Sequence, residues 1–360
     1  MLRELARSVV RSQQFGLLVV FLTLGTALTL AAGSHRDPLS GQTVNDFLNA
    51  HTLVQMATDA SAFAIMGVGA TIVIIAGGID LSVGAVFALS GVVMAMVLRA
   101  AGPLAPLATV SLGLATCLGV SLACGIANGL MVIGLGVHPF IITLGAMWIV
   151  RGIAFVISHA ESILVPGALT AVAKASLGFG TALYPVPLLV MLATTAVGGV
   201  YLTRTVMGRH VFAVGGNAEA SRFSGLSVGR ITLGVFVLSA LAAGLAAFLG
   251  AAFYGSATSS DANGYELYVI ASAVVGGASL TGGKGSAWSA MLGALLIVMI
   301  RQAIRTLRLD QNYEWIIVGG AMIAAVVVDQ GGSRLLARRM ARAGGTVPTP
   351  DHSLPQNREL

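Results

Sequence analysis

Charged residues are scarce in this sequence. Only 9% of its 360 residues are Asp, Glu, Lys or Arg, and 56% are apolar, whereas about a quarter of the residues of a typical soluble domain are charged. Such a chain has too little polar surface for a water-soluble fold, and we expect it to lie in a lipid bilayer. In lipid the backbone must satisfy its own hydrogen bonds, which leaves helices or a closed barrel.

Alternation of polar and apolar residues, which the strands of a membrane barrel require, is also missing. The runs 62–78 and 231–253 are continuously apolar. The 46 glycines favour closely packed membrane helices, because small residues let helix backbones approach each other. The sequence therefore predicts an all-α protein, a polytopic bundle of transmembrane helices.

The sequence has few residues that could build an enzyme, metal or nucleotide site. Its two cysteines, Cys117 and Cys124, lie seven apart on one helix face, which favours packing over a metal or a disulfide. A segment around Lys284 resembles a phosphate-binding loop, but Ala278 stands where the loop needs its first glycine, and Gly285 follows the lysine. No set of catalytic side chains is visible. We expect no enzyme site, metal or cofactor in this chain, so a partner subunit would bind any ATP.

Ten apolar runs approach the roughly 20 residues that cross a hydrocarbon core. They lie at 15–33, 62–78, 81–98, 106–134, 139–158, 187–203, 231–253, 267–280, 287–304 and 315–328. The first run is too long for a cleaved signal core, so we expect it to be a retained span. An even number of spans puts both termini on one side of the membrane.

Basic residues cluster at the ends of these runs, as topology signals do, and form no nucleic-acid surface. Three clusters share one predicted side: Arg3, Arg7 and Arg11; Arg204, Arg209, Arg222 and Arg230; and Arg334, Arg338, Arg339 and Arg342. By the positive-inside rule that side is cytoplasmic. We expect residues 1–330 to form the transmembrane domain and residues 331–360 a polar, disordered cytoplasmic tail.

Three arginines do not follow this rule. The same count places Arg301, Arg305 and Arg308 outside. We favour a solvated helix face beside the interfacial residues Tyr313 and Trp315 over a surface that binds an acidic partner. An error in the count at this point is the remaining alternative.

The stretch 204–230 carries several charges and still has the signals of a folded element. Asn217 is a good N-cap, Glu219 suits the positive end of a helix, and Gly225 can adopt the left-handed conformation that ends one. The pair Gly215–Gly216 would allow an abrupt start. A helix of about two turns is marginal alone in water. The stretch is therefore either a docking element for a soluble partner or an ordinary ordered loop.

A second motif, 77–84, places an acid among glycines. Asp80 could cap a helix that begins near Leu81, with Ser82 bonding nearby backbone groups, or it could act as a cytoplasmic gate. The motif has a weak internal repeat: residues 77–82, which begin with Gly77 and Gly78, resemble residues 276–281, which begin with Gly276 and Gly277. Paired interrupted segments are typical of transporter repeats, and chance or shared turn chemistry are the alternatives.

Ionisable residues inside or beside apolar runs are candidates for function. Arg151 interrupts the run 141–157 and needs a partner in lipid. That partner could be a set of backbone carbonyls, a carboxylate such as Glu266, or the cargo. Asp59 is either a proton-coupling residue or interfacial. The polar outer loop that ends at Tyr265 and Glu266 could bond a hydroxylated solute, a binding protein or only water.

Three groups of motifs resemble the ribose-type sugar permeases of bacterial ABC importers. The first is Gly77-Gly78-Ile79-Asp80-Leu81-Ser82-Val83-Gly84. The second is Gly208-Arg209 followed by Gly215-Gly216-Asn217, Ala220 and Ser224-Gly225, and the third is Gly264-Tyr265-Glu266-Leu267 with Gly276-Gly277 to Gly285. The similarity extends in order from about Leu53 to Asp329.

The resemblance implies a permease subunit of about ten helices in the bacterial inner membrane, used as a dimer around a central path. A periplasmic binding protein would deliver a monosaccharide, and a cytosolic ATPase would drive transport. Segment 204–230 would be the coupling loop, with the helix from Ala218 to Ser224 seated on the ATPase. The external arginines and the polar tail match no feature of the family.

Other functions stay open from the sequence alone. The cargo could be a branched-chain amino acid or a nucleoside, and the chain could be an ion-coupled carrier or channel or a membrane scaffold. An ion-coupled carrier would need titratable groups within the membrane. The sequence offers only a few candidates, Asp59, Arg151 and Glu266. The sugar, and the choice between a homodimer and a heterodimer, are not specified.

Overall fold

The structure, a computed structural model, describes residues 13–36, 41–176, 183–321, 323 and 327. These residues are mostly helical, as predicted. In chain order the helices are α1 (Gln13–Ala31), α2 (Ala50–Ile75), α3 (Val83–Ala101), α4 (Pro106–Leu135), α5 (Pro139–Ser158), α6 (Gly167–Ala173), α7 (Val186–Arg204), α8 (Val206–Gly216), α9 (Ala218–Phe223), α10 (Val228–Tyr254), α11 (Tyr265–Val275) and α12 (Ala287–Thr306). A further helix, α13, covers 313–321. The amino-terminal arginines and the tail 331–360 lie outside the described residues.

Seven of these helices are long and apolar enough to cross a membrane: α2, α3, α4, α5, α7, α10 and α12. Two shorter apolar segments accompany them, Gly16–Ala31 within α1 and the whole of α11. At 1.5 Å per residue α11 is only about 17 Å long, roughly half of a hydrocarbon core. Every predicted span overlaps a helix, but the count of ten spans stays a prediction.

Local sequence explains where several helices begin and end. The Asn49 side chain accepts a hydrogen bond from the Thr52 N–H at 2.8 Å and caps α2, so α2 begins at Ala50, twelve residues before the apolar run 62–78. Pro106 and Pro139 occupy the first turns of α4 and α5, where a missing N–H costs nothing. The α8 helix was not predicted, because its pair of glycines at the carboxyl end was interpreted as a turn.

The α2 helix lies at the centre of the bundle. It packs against α7, α10, α11 and α12, and 89% of its most apolar stretch is buried. By contrast, only 22% of the corresponding stretches of α4 and α5 are buried. These two helices form the periphery, where lipid or another subunit can cover their apolar side chains.

Two short pairs of antiparallel strands lie outside the helices. Strands β1 (Ser34–Arg36) and β2 (Thr43–Asn45) pair with Ser34 opposite Asn45. Strands β3 (Ile163–Leu164) and β4 (Ser256–Ala257) pair with Ile163 opposite Ala257. The second pair joins the connection after α5 to the connection after α10, at the end of the bundle opposite α9.

Candidate coupling and gating site

Two glycine-containing segments, the end of α8 and the turn at Gly282 and Gly283, meet at the carboxyl end of α2. The Ile75 carbonyl accepts a hydrogen bond from the Gly283 N–H at 2.9 Å. A side chain on Gly215 would collide with that same carbonyl, and Gly282 lies against the Gly215 backbone. Gly215 is therefore needed for close approach rather than for the abrupt start that the sequence suggested. The end of α8 is joined directly to the central helix.

Helix α9 is a short, capped and largely exposed segment next to this junction. The Asn217 side chain accepts from the Ala220 N–H at 2.8 Å, and Gly225 has φ +84°, so the predicted cap and stop are both confirmed. Gly208 is buried against the Leu202 backbone and its N–H donates to Thr205 Oγ1 at 2.9 Å. Of the predicted coupling residues, those that are exposed are Arg209, Gly216, Asn217, Ala218, Glu219, Ala220, Ser224 and Gly225, as are Arg222 and Phe223 of α9.

Phe223 is the residue of this surface that the sequence reasoning missed. Its side chain is 84% exposed at the carboxyl end of α9. A large exposed aromatic ring on a rigid, capped helix is typical of an interaction surface. Sequence periodicity gave no signal, because a helix of six residues is too short to show which of its faces is buried.

A buried polar network surrounds Asp80. Its Oδ1 accepts from the Ser82 N–H at 2.9 Å and the Ser82 hydroxyl at 2.6 Å, while Oδ2 accepts from the Ser239 hydroxyl at 2.9 Å. The Asn128 amide donates to Ser82 Oγ at 2.8 Å. Asp80 is only 2% exposed. The network links the start of α3 to α4 and α10.

The electrostatics of Asp80 follow from this environment. In the connection between α2 and α3, burial raises the pKa of the Asp80 carboxyl, and the hydrogen bonds from Ser82 and Ser239 act in the opposite direction. Asp80 does not cap a helix near Leu81, because α3 begins at Val83 and the carboxylate bonds the residue before it. Instead the Leu81 N–H donates to Thr143 Oγ1 at 3.1 Å. The non-helical connection is thus fastened inside the bundle, as buried backbone in a membrane protein must be.

The helices before the two similar motifs, α2 and α11, end in the same way. The residues that correspond in these endings are shifted by one position from those that the sequence similarity pairs. In each, the helix is followed by a left-handed glycine, Gly77 with φ +86° and Gly277 with φ +90°. The backbone hydrogen bonds after α2, Gly77 to Ile74 and Gly78 to Val73, recur after α11 as Gly277 to Val274 and Ala278 to Ala273. Gly77 therefore corresponds to Gly277 rather than to Gly276, which is the buried C-cap of α11. The two segments therefore share their turn chemistry.

Arg151 binds backbone carbonyls, one of the alternatives that the sequence left open. Its guanidinium donates to the carbonyls of Ser259 at 2.8 Å, Asp261 at 2.6 Å and Ala262 at 3.2 Å. The side chain thereby fastens α5 to the loop that leads into α11. Among the described side chains, Glu266 forms no ion pair with Arg151, and its buried Oε2 has no hydrogen-bond partner.

Arg301 and Arg305 form ion pairs, while Arg305 and Arg308 are exposed, so the predicted solvated helix face is confirmed in part. Arg301 Nε lies 2.8 Å from Glu314 Oε1, and Arg305 Nη2 lies 3.3 Å from Asp59 Oδ2. Arg301 also lies over the rings of Phe63 and Tyr268. These contacts bring α2, α11, α12 and α13 together at the end opposite α9. Arg308 is exposed with φ +52°.

The described part of the chain holds no group of three or more His, Cys, Asp or Glu side chains arranged for a metal. Its polar interior is instead a set of hydrogen-bonded networks within a helical bundle, with an exposed capped helix at one end. This architecture is that of a polytopic α-helical membrane protein.

The family follows from comparison with known proteins. The chain belongs to the family described as branched-chain amino acid transport system / permease component, whose model matches residues 52–326. It is 37% identical over 289 residues to the D-allose transport system permease protein of Escherichia coli (strain K12), covering 79% of this chain and 85% of the relative. It is 35% identical to the ribose import permease protein of Haemophilus influenzae, with 79% and 86% covered. It is 32% identical to the L-arabinose ABC transporter permease protein of Azospirillum brasilense, with 88% and 87% covered.

No solved structure gives a significant match. The resemblance to the ribose-type ABC permeases is confirmed by these relatives. The chain is a multi-pass protein of the bacterial inner membrane and an ABC-type permease.

Proposed function

We propose that the chain is the permease subunit of an ABC importer and forms the membrane path for a monosaccharide. A periplasmic binding protein delivers the sugar, a separate cytosolic ATPase binds and hydrolyses ATP, and a second permease copy or paralogue completes the path. The names of the relatives support a sugar, since they specify D-allose, ribose and L-arabinose. The family description names branched-chain amino acids, so leucine is the second candidate cargo.

The observation that carries the coupling role is the pairing of an exposed helix with a rigid junction. The α9 surface, with Phe223 84% exposed, offers an apolar anchor to a soluble partner. Behind it, Gly215 lies against the Ile75 carbonyl at the end of the central helix. A displacement of α9 is therefore passed to α2 by backbone contact, without flexible side chains between them.

This role also gives the proposed orientation. The α9 end faces the cytosol, ten spans cross the membrane, and both termini are cytoplasmic. Transport then proceeds by alternation between outward-open and inward-open helix packings, driven by the ATPase. The Asp80 network, fastened to α4 and α10 near the cytoplasmic end, is the proposed gate.

The ion-coupled alternative has less support from the observed contacts. Arg151 is bound by three backbone carbonyls, and Asp80 accepts three hydrogen bonds. Both groups are held in fixed surroundings. A carrier that moves protons needs a group free to change partners between its two states.

We expect Phe223→Asp to abolish most of the association with the ATPase. A charge at the centre of an apolar anchor costs at least about 2 kcal/mol of binding, or more than tenfold in affinity. The measurement is the amount of ATPase that copurifies with the tagged permease in detergent. Leu164→Asp is the matched control, since Leu164 is 77% exposed but lies in β3 at the opposite end.

Loss of the ATPase in both variants, or in neither, would contradict the docking role of α9. Orientation is tested separately with Phe223→Cys and a membrane-impermeant thiol reagent. Labelling should require permeabilised cells. Labelling in intact cells would place α9 outside.

A further inference from the structure

A narrow cleft lies between α2, α3, α7, α10 and α11, at the end of the bundle opposite α9. Its lining includes Thr58, Asp59, Phe87, Phe253, Tyr254 and Tyr265. About 24 Å of helix separates Asp59 from Ile75 at 1.5 Å per residue. The cleft therefore lies across most of the hydrocarbon core from the coupling junction, where a solute from outside would first meet the bundle.

The walls of the cleft are rich in aromatic rings. The ring of Tyr265 lies 4.5 Å from that of Phe63 and 6.3 Å from that of Phe87, centroid to centroid. The rings of Phe253 and Tyr254 meet edge to face at 5.4 Å. Pockets for small solutes combine such apolar walls with a few fixed polar groups. A sugar suits this mixture, because the C–H faces of its ring are apolar and its hydroxyls are polar.

Asp59 is the fixed polar group. Its Oδ1 accepts from the Gln55 amide at 2.8 Å, and its Oδ2 accepts from Arg305 at 3.3 Å. An ionised carboxylate has about four acceptor positions, so these two donors orient the group and leave acceptor capacity for hydroxyls. The Arg305 charge balances that of Asp59. The cleft is therefore suited to a neutral polyol rather than to an anion or a cation.

The cleft is closed in this structure. It encloses about 40 Å³, which has room for about one water and not for a sugar. Tyr254 stands at its mouth with 68% of its surface exposed, and Gly255 after it has φ +81°. Tyr254 and Gly255 thus form the exposed edge of the cleft at the end of α10.

We propose that this cleft is a contact site for a neutral monosaccharide on its way into the path. Asp59 accepts hydrogen bonds from sugar hydroxyls, and the rings of Tyr254 and Tyr265 contact the apolar face of the sugar ring. The site is used when the end opposite α9 is open. This inference rests on the proposed function, since it concerns the cargo of the same transporter.

The test compares Asp59→Asn with Arg305→Gln in liposomes that contain the complete transporter. Both variants break the Asp59–Arg305 ion pair, but only the first changes the group that meets the sugar. Uptake of D-allose, D-ribose and L-arabinose is measured as KM and kcat for each. We expect Asp59→Asn to raise KM by about tenfold or more and to change the order of preference among the sugars. Arg305→Gln should leave that order unchanged.

Equal behaviour of the two variants would overturn the inference, because Asp59 would then act only through its ion pair. Tyr254→Ala and Tyr254→Phe provide a second test at an exposed position that folding tolerates: the Ala variant should raise KM and the Phe variant should not. If both leave KM unchanged, the inference also fails. Absence of sugar uptake by the wild-type transporter would instead refute the proposed function.

Discussion

Replacement of Gly215 by alanine should stop transport while the protein still inserts into the membrane. The added methyl group would occupy the space of the Ile75 carbonyl, and a backbone carbonyl inside a helix cannot rotate away as a side chain does. The end of α8 must then move from the end of α2. Overpacking of this kind costs about 1–3 kcal/mol, and it separates the two elements that the coupling mechanism needs in contact. We expect ATP-driven uptake to fall by at least about tenfold.

Gly216→Ala is the matched control for this variant. No heavy atom lies within 4 Å of a side chain built on Gly216, and alanine favours a helix more than glycine does. We expect full uptake and unchanged or slightly higher thermal stability. Equal uptake by the two alanine variants would show that the backbone contact between α8 and α2 has no role in coupling.

The second large effect is expected from Asp80→Ala. The change leaves the Ser82 N–H and the hydroxyls of Ser82 and Ser239 without their acceptor inside the bundle. Each unsatisfied buried group costs about 1–3 kcal/mol, so the loss of stability is expected to be about 3–5 kcal/mol after partial relaxation. The measurements are the thermal midpoint of the detergent-purified permease and its uptake in liposomes. Both should fall.

Ser90→Ala tests whether any polar change in α3 has the same consequence. The Ser90 hydroxyl is buried and has no hydrogen-bond partner among the described residues, so its removal should be nearly neutral. Asp80→Asn removes the charge of the side chain but keeps its shape, and the amide oxygen can still accept a hydrogen bond from the Ser239 hydroxyl. If Asp80→Ala is as stable and as active as Ser90→Ala, the network neither fastens α3 nor gates the path.

The sequence predicted the parts of this molecule that depend on local chemistry. The cap at Asn217 and the left-handed stop at Gly225 need only their neighbours in the chain. The helical character of the apolar runs follows from composition and length alone. These features could be identified without knowing how the helices pack.

Features that depend on packing could not be predicted in the same way. Ser239 bonds Asp80 across 159 positions of sequence, and no pattern in an apolar run shows which of its hydroxyls faces a distant carboxylate. The same is true of Arg151, for which the sequence required a partner but could not select the carbonyls of the loop before α11. The role of Gly215 was also misassigned, because its contact is with Ile75 and not with its own turn.

Uptake into liposomes tests the central claim most directly. The wild-type chain is reconstituted with and without its ATPase and its binding protein, and uptake of D-allose, D-ribose, L-arabinose and leucine is followed with ATP or with imposed proton and sodium gradients. We predict uptake of at least one of the sugars only when both partners and ATP are present. Uptake by the chain alone, driven by an ion gradient, would contradict the account.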